Sequence, residues 1–223
     1  MTTELVPLWL SLKVATSATG LVVLLGLPAA LFLARMRFPG KGIVAGAMVL
    51  PLVLPPTVLG YLLLQVVGRR AWLGAWLERN LGVVLVFHWS GAVLASAVAA
   101  FPLFLLPARG AFEGVDPGLE DVARLLGRGE ASVFFSVTLP LAWRGLAAGA
   151  ALAFARALGD FGATMMVAGD IPGLTQTASL AIYDAVQMGD PTRAARLALW
   201  VSSISITVLA FVQRMLPNPG RKP

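Results

Sequence analysis

Residues 112–140 read FEGVDPGLEDVARLLGRGEASVFFSVTLP and form a long polar connection between apolar segments of this chain. Asp116 is a good helix N-cap, and Pro117 suits the first helical position. Gly127 provides the left-handed residue that ends such a helix, and residues 130–136 can form a second short helix. The stretch therefore predicts a helical elbow on the membrane surface, either bare or bound to another protein.

Charges and apolar residues are segregated along the first predicted helix of this elbow. Glu120 and Asp121 lie near the positive end of the helix dipole, and Arg124 and Arg128 lie toward the negative end. Glu120 and Arg124 are one helical turn apart and are expected to pair. The predicted apolar face consists of Leu119, Val122, Ala123 and Leu126.

The composition is that of a membrane protein. Of 223 residues, 58% are hydrophobic and 13% are charged, with a mean hydropathy of +0.83, a balance that excludes a soluble domain of this length. Backbone in lipid must bond to itself, so the spans are predicted to be helices. We expect an all-α polytopic protein, one membrane domain over residues 1–223, with five spans and room for a sixth, shorter one. The predicted spans are Val14–Ala34, Gly42–Gly68, Asn80–Ala108, Gly145–Gly169 and Leu197–Gln213.

Basic residues cluster in short loops beside the spans, where the positive-inside rule places them. The net charge of +6 therefore indicates a membrane topology and not nucleic-acid binding. The N-terminus is predicted to lie outside, with the elbow and the C-terminus in the cytoplasm. The clusters follow span one, surround the elbow and follow the last span: Arg35, Arg37 and Lys41; Arg109, Arg124, Arg128 and Arg144; Arg214, Arg221 and Lys222.

A group of arginines between spans two and three disagrees with this topology. Arg69, Arg70 and Arg79 fall on the predicted outer side. Trp72 and Trp76 lie among them at helical spacing, and tryptophan favours the headgroup level. We therefore predict a short helix at the membrane interface.

The second span carries three prolines, Pro51, Pro55 and Pro56. Proline removes a backbone donor and clashes with the preceding turn, so the helix is predicted to kink or break near its middle. Two interpretations remain: ordinary proline enrichment in membrane helices, or hinge residues of a helix that lines a pathway.

The fourth span carries ionisable residues at four-residue spacing, Arg156 and Asp160, followed by Thr164. Counted from Arg144 at the inner interface, they lie about 18 Å and about 24 Å deep on a straight helix. Ionisable groups there are costly and should face protein or water. We predict that they pair, either as a structural lock or as part of a pathway or gate.

Catalytic and cofactor motifs are missing from the sequence. There is no G-x-x-x-x-G-K-[ST] pattern, so the chain is not expected to hydrolyse ATP by itself. It has no cysteine and one histidine, His88, which argues against a metal cluster. We expect no enzyme activity, no metal and no cofactor on this chain.

The elbow resembles the EAA loop of ABC importer membrane subunits. That pattern is EAA, three residues, Gly, nine residues and a hydrophobic-x-Leu-Pro end. Gly127 fits the glycine, Val137 to Pro140 fit the end, and Asp121, Val122 and Ala123 stand at the start with two departures. The resemblance implies that the loop docks on a cytoplasmic ATPase. It assigns this coupling role to Glu120, Asp121, Val122, Ala123, Gly127, Arg128, Leu139 and Pro140.

Further motifs resemble the molybdate permeases of this class. They are FPGK (38–41), LPLVLPPTVLGYLLL (50–64), GRR (68–70), FARALGDFGATM (154–165) and IPG (171–173), spread over residues 38–200. Asp160 stands where that family often has Glu, which shortens the carboxylate arm.

The resemblance implies a permease subunit of an ABC importer for molybdate or tungstate in a prokaryotic inner membrane. Its implied partners are a second copy, two cytoplasmic ATPase subunits that carry ATP and Mg²⁺, and an external oxyanion-binding protein. The alternatives are a sulfate-type ABC permease, or a stand-alone secondary transporter or channel that uses Arg156 and Asp160 as an ion relay.

Overall fold

The computed structural model describes residues 2–215, and every regular element among them is helical. The predicted all-α class is therefore confirmed. A π-helical turn, Phe134–Thr138, joins α7 to α8. The helices are α1 Thr2–Arg35, α2 Lys41–Val53, α3 Pro56–Val67, α4 Trp72–Leu81, α5 Trp89–Glu113, α6 Pro117–Leu125, α7 Glu130–Val133, α8 Leu139–Leu158, α9 Gly162–Ala168, α10 Ala178–Gln187 and α11 Pro191–Met215.

The first helix is longer than its uncharged run predicted. α1 begins well before Val14, and its candidate membrane span, Leu5–Arg35, includes Lys13. The ammonium of Lys13 lies 3.6 Å from the centroid of the Trp89 ring. This cation–π contact offsets part of the cost of a charge beside apolar surface, so the helix continues through the lysine.

The centre of the bundle consists of α1, α5 and α8, which pack side by side. Phe104 and Phe112 of α5 are fully buried in this core. Small residues allow the close approach that membrane helices use: a Cβ added at Gly149 of α8 would lie 3.1 Å from the Phe104 carbonyl oxygen. Helix α5 therefore contacts both neighbours and forms the axis of the fold.

The second predicted span is broken at its prolines, as expected. Helix α2 ends at Val53, Pro55 is the N-cap of α3, Pro56 is its first residue, and the two helices are bent by 116°. Pro51 lies inside α2 and does not interrupt it. Helix α2 packs on α5 and α3 packs on α9, so the break separates two helices with different partners.

The interfacial tryptophans lie in a separate short helix, α4, as predicted, and the third span begins later than expected. Asn80 belongs to α4, which ends at Gly82 in the left-handed conformation, φ 64°. Helix α5 begins only at Trp89, where the His88 imidazole accepts a hydrogen bond from a backbone N–H of the first turn. The predicted start at Asn80 is therefore wrong.

The fourth predicted span, Gly145–Gly169, is wrong as a continuous helix. Its candidate span is Glu130–Leu158, which joins α7, the π turn and α8. The chain then leaves the helix through Gly159 to Phe161 before α9 begins. The depth predicted for Asp160 therefore does not follow from a straight helix.

The connection predicted as an outer loop contains a buried helix, α10. It packs against α1 and α11, and Ala178, Leu180 and Ala181 are fully buried. The Ala178 N–H donates a hydrogen bond of 2.7 Å to Ser11 Oγ of α1. Ten residues are too few for a span, so a search for long apolar runs does not predict α10.

Four helices of the described part are long and apolar enough to cross a membrane, and there are five candidate spans if the bent pair α2–α3 is counted as one broken span. This count is compatible with the five predicted spans, and no further candidate for a sixth span is found among residues 2–215. The C-terminal end of α1 meets the elbow through Arg35 and Glu120, whereas its first turns meet α10 at the other end of the bundle. Arg221 and Lys222 of the last basic cluster lie outside the described residues.

Candidate coupling elbow and intramembrane ion pair

The first helix of the elbow, α6, is capped as predicted. The Asp116 carboxylate accepts a hydrogen bond of 2.9 Å from a first-turn N–H, and Pro117 is the first helical residue. Gly127 has a φ of 81°, a conformation that glycine adopts without strain. The N–H groups of Gly127 and Arg128 donate to carbonyls in the last turn of α6, which forms a Schellman cap.

Glu120 makes its hydrogen bonds outside α6, in addition to the predicted ion pair with Arg124. Its carboxylate is buried, and Oε1 accepts hydrogen bonds from Arg35 Nη2 at 2.5 Å and from Thr138 Oγ1 at 2.6 Å. The predicted partner, Arg124, lies 3.8 Å from Oε2 without a hydrogen bond. Glu120 therefore joins α6 to the end of α1 and to the π turn before α8.

Arg124 bonds instead to two exposed carboxylates, Glu130 and Asp121, both at 2.7 Å. Hydrogen bonds from Glu130 and then Asp121 raise the pKa of the Arg124 guanidinium, so it stays charged. Exposed pairs of this kind contribute little to stability. Their geometric effect is to tie the end of α6 to the start of α7, which sets the angle of the elbow.

The apolar face of α6 points away from the protein. Leu119, Val122, Leu125 and Leu126 are 49%, 55%, 86% and 78% exposed. The predicted face was partly wrong, because Ala123 is buried and Leu125, which the periodicity omitted, lies among the exposed residues. An amphipathic helix normally buries its apolar stripe. A stripe turned outward indicates a surface that binds a partner.

Leu139 and Pro140, the end of the motif, lie inside a continuous helix and not at the junction of a loop with a span. The helix runs from Glu130 through the π turn into α8, and Leu139 packs against the main core cluster. Pro140 has no N–H, and its ring would clash with the Ser136 carbonyl in a regular α-helix. The π turn immediately precedes this proline, where a wider turn accommodates it.

Arg156 and Asp160 meet where α8 ends. The Asp160 side chain is 1% exposed, and its Oδ1 accepts a hydrogen bond of 2.9 Å from Arg156 Nη1. Its Oδ2 accepts from the Thr164 N–H at 3.0 Å and from Thr164 Oγ1 at 2.7 Å. The predicted pair is therefore confirmed, and the same carboxylate also caps α9.

Two further contacts of this site were missed by sequence reasoning. Ser96 Oγ of α5 lies 3.3 Å from Thr164 Oγ1, and both residues are buried. The rings of Phe161 and Tyr183 lie 5.1 Å apart and connect the segment between α8 and α9 to α10. Neither contact has a signal at helical spacing, because each joins elements that are distant in sequence.

A second polar group lies at the opposite end of the bundle from the elbow. Asp170 Oδ1 is buried and has no hydrogen-bond partner among residues 2–215. Burial raises the pKa of the Asp170 carboxyl, and the nearby Asp184 charge raises it further. The Gln176 amide donates to Asp184 Oδ2 at 3.4 Å. The described part of the chain holds no group of three or more His, Cys, Asp or Glu side chains that could bind a metal.

A model of the family described as binding-protein-dependent transport system inner membrane component matches residues 23–217. The chain belongs to this family. The match covers the elbow, the broken second span and the Arg156–Asp160 pair. The resemblance inferred from the motifs is therefore confirmed.

Two relatives of this inner membrane component are permeases of molybdenum transport systems. ModB of Escherichia coli K12 is 44% identical over 211 residues, which is 92% of this chain and 91% of ModB. ModB of Haemophilus influenzae is 45% identical over 205 residues, 90% of this chain and 88% of the relative. A chain in the inward-facing MetNI methionine ABC transporter superposes with a TM-score of 0.72 at 17% identity, covering 96% of this chain and 95% of that one. At that identity the superposition shows the fold alone, which is the ABC permease fold.

Proposed function

We propose that this inner membrane component is the permease subunit of an ABC importer for molybdate or tungstate oxyanions. It works as a homodimer with two cytoplasmic ATPase subunits, which bind ATP and Mg²⁺, and an external binding protein delivers the anion. The observation that carries the proposal is the outward-facing apolar stripe of α6, in a chain 44% identical to a molybdenum transport permease.

The stripe on α6 is the surface that an ATPase groove would cover. Leu125 and Leu126 are the most exposed of its side chains, and Asp121 beside them is also exposed. Each leucine that becomes fully buried contributes about 1.5–3 kcal/mol. Gly127 ends the helix so that the stripe lies at the tip of the elbow, which supports the coupling role predicted for Asp121, Val122 and Gly127.

The charges at the two ends of the bundle support the predicted orientation. Arg35, Arg37 and Lys41 lie at the elbow end, where the positive-inside rule places the cytoplasm. The first turns of α1 and the acidic residues Asp170 and Asp184 lie at the other end. The N-terminus is therefore proposed to lie outside, with the elbow in the cytoplasm.

The last helix, α11, offers a surface for lipid and for a second copy. Only 6% of its candidate span is buried, and large apolar side chains such as Trp200 and Phe211 are exposed.

In a homodimer the pathway would run between subunits. Arg156 is the cation proposed to meet the anion there, since its side chain is 28% exposed. Asp160 neutralises it at rest, which favours brief contact over tight binding.

The bonding of Asp160 argues against a stand-alone transporter that uses the pair as an ion relay. Both carboxylate oxygens are occupied, one by Arg156 and the other by Thr164. A relay group must release its partner to exchange an ion or a proton, whereas this carboxylate also caps α9. A structural lock beside the pathway fits this geometry better.

The test is uptake by vesicles that contain this chain and its ATPase. We expect accumulation of radiolabelled molybdate that requires ATP and the external binding protein, with competition by tungstate. A non-hydrolysable ATP analogue is the control. Uptake driven by an ion gradient without ATP would refute the proposal, and uptake of sulfate in preference to molybdate would identify a sulfate-type permease.

Orientation can be measured in cells by cysteine labelling, because the chain has no native cysteine. Cysteine at Leu174, which is 64% exposed, should react with an impermeant external reagent in cells. Cysteine at Gly118 of the elbow should react only after permeabilisation. External labelling at Gly118 would contradict docking of a cytoplasmic ATPase.

A further inference from the structure

The elbow is fastened to a helix that is far from it in sequence. Arg35, the last residue of α1, donates its hydrogen bond to Glu120 across 85 residues of chain. The same oxygen of Glu120 accepts the Thr138 hydroxyl, and both Glu120 and Thr138 are buried. We call the contact of these three residues the α1 junction.

The α1 junction supplies a connection that the chain itself does not. Helix α6 is linked to α5 by residues 114–116, and to α7 and α8 by residues 126–129 and the π turn. A displaced elbow therefore pulls directly on α5 and α8. Helix α1 has no such covalent link, and it contacts α5 and α8 through apolar packing and the cation–π contact of Lys13 with Trp89. Packed helices can slide past one another, whereas hydrogen bonds fix distance and direction.

We propose that the α1 junction transmits movement of the elbow to α1 and, through the short connection at residues 36–40, to the broken pair α2–α3. Glu120 is then a positioning residue of the transport cycle. The resemblance places Glu120 in the docking loop, but its side chain is on the buried side of α6, so we expect it to touch neither the anion nor the ATPase. The inference rests on the proposed function, since only an ATPase-driven elbow has movement to transmit.

The chemistry of the junction suits this role. A buried carboxylate is costly unless it is paired, and apolar residues would hold a static contact as well or better. Glu120 instead accepts two short hydrogen bonds from two different segments. Helix α3, which follows α2, packs on α9, and α9 begins two residues after Asp160. Movement delivered at Arg35 therefore reaches the helices around the intramembrane pair.

The first test compares Glu120→Gln with Glu113→Gln in vesicles with the ATPase. Glu113 is a matched control, because it pairs with Arg109 at 2.8 Å within α5 and is exposed. In Glu120→Gln, molybdate uptake per ATP hydrolysed should fall roughly fivefold or more, the usual scale of a coupling effect. Glu113→Gln should leave the ratio unchanged. Equal ratios in both variants would overturn the proposal.

The second test keeps the junction intact, so it does not depend on how Glu120 variants fold. Spin labels at Arg37 and Gly118, both exposed, report the distance between the end of α1 and the elbow. We expect this distance to change by less than one hydrogen-bond length, about 3 Å, between nucleotide-free and ATP-trapped states. A larger change would show that α1 does not follow the elbow. If the unlabelled chain shows no ATP-driven uptake, the proposed function has failed, and not the junction alone.

Discussion

Asp160→Ala is the substitution whose effect the structure defines best. The side chain is 1% exposed and accepts three hydrogen bonds, one from Arg156 and two from Thr164. Its removal leaves a guanidinium without its partner and the buried Thr164 N–H without its acceptor, while the Thr164 hydroxyl keeps its contact with Ser96 Oγ. The change creates a cavity of only a few atoms, so electrostatics and hydrogen bonding dominate the loss.

The size of the effect follows from these contacts. Removing one partner of a buried ion pair costs about 3–5 kcal/mol, and the lower end applies because Arg156 is 28% exposed. In the double variant Arg156→Ala with Asp160→Ala the unpaired charge is gone. The unsatisfied N–H of Thr164 then leaves a loss of about 1–3 kcal/mol. Asp160→Ala alone should therefore be more damaging than the double variant.

The assay is a double-mutant cycle on the free energy of unfolding in detergent, with uptake measured in parallel. We expect an interaction energy of at least about 1 kcal/mol between the two sites. Asp160→Asn is the matched control, since it keeps an acceptor for Thr164 and removes only the charge, and it should fall between the single and double variants. Losses that add within about 0.5 kcal/mol would show that Arg156 and Asp160 do not depend on each other.

Three other substitutions test separate parts of the fold. Gly127→Val places a β-branched residue at φ 81°, and strain of about 1–2 kcal/mol should weaken ATPase binding roughly five- to thirtyfold. The control Gly129→Ala, at φ −70°, should bind the ATPase normally. Normal binding by both variants would exclude a role for the cap. Gly60→Ala puts a Cβ 2.6 Å from a methionine of α9 and should lower the free energy of unfolding by about 1–3 kcal/mol. The control Gly46→Ala, with open space around the added Cβ, should leave that free energy unchanged. The pKa of Asp170 is raised by burial, so its ionisation opposes folding and stability should increase as pH falls through that pKa. Asp170→Asn should be more stable at neutral pH and should lose this pH dependence. The same pH profile of thermal unfolding in the variant and the unmodified chain would contradict this prediction.

Local chemistry in the sequence determined several features of this protein correctly. The caps of α6 depend on Asp116, Pro117 and Gly127, whose preferences are properties of the residues themselves. The break between α2 and α3 follows from adjacent prolines. The membrane class follows from composition, because long apolar runs leave few other structures for the backbone.

The tertiary structure decided which polar groups meet. Two arginines lie close enough to pair with Glu120: Arg124, one helical turn away, and Arg35 at the end of α1. Helical spacing predicts the near one, and it forms an ion pair at 3.8 Å, but the hydrogen bond comes from Arg35, which only the packed bundle brings to Glu120. The contact of Ser96 with Thr164 depends in the same way on how α5 and α9 pack.

The faces of the helices were equally beyond the sequence. In a membrane the lipid side and the protein side of a helix are both apolar, so periodicity does not separate them. The outward stripe of α6 depends on how the elbow packs on the π turn, and α10 is too short to be recognised as a span. Composition and local propensity act through neighbours in the chain and determine where helices begin, end and break. Which face is buried, and which charges pair, depends on residues far apart in sequence that only the packed bundle brings into contact.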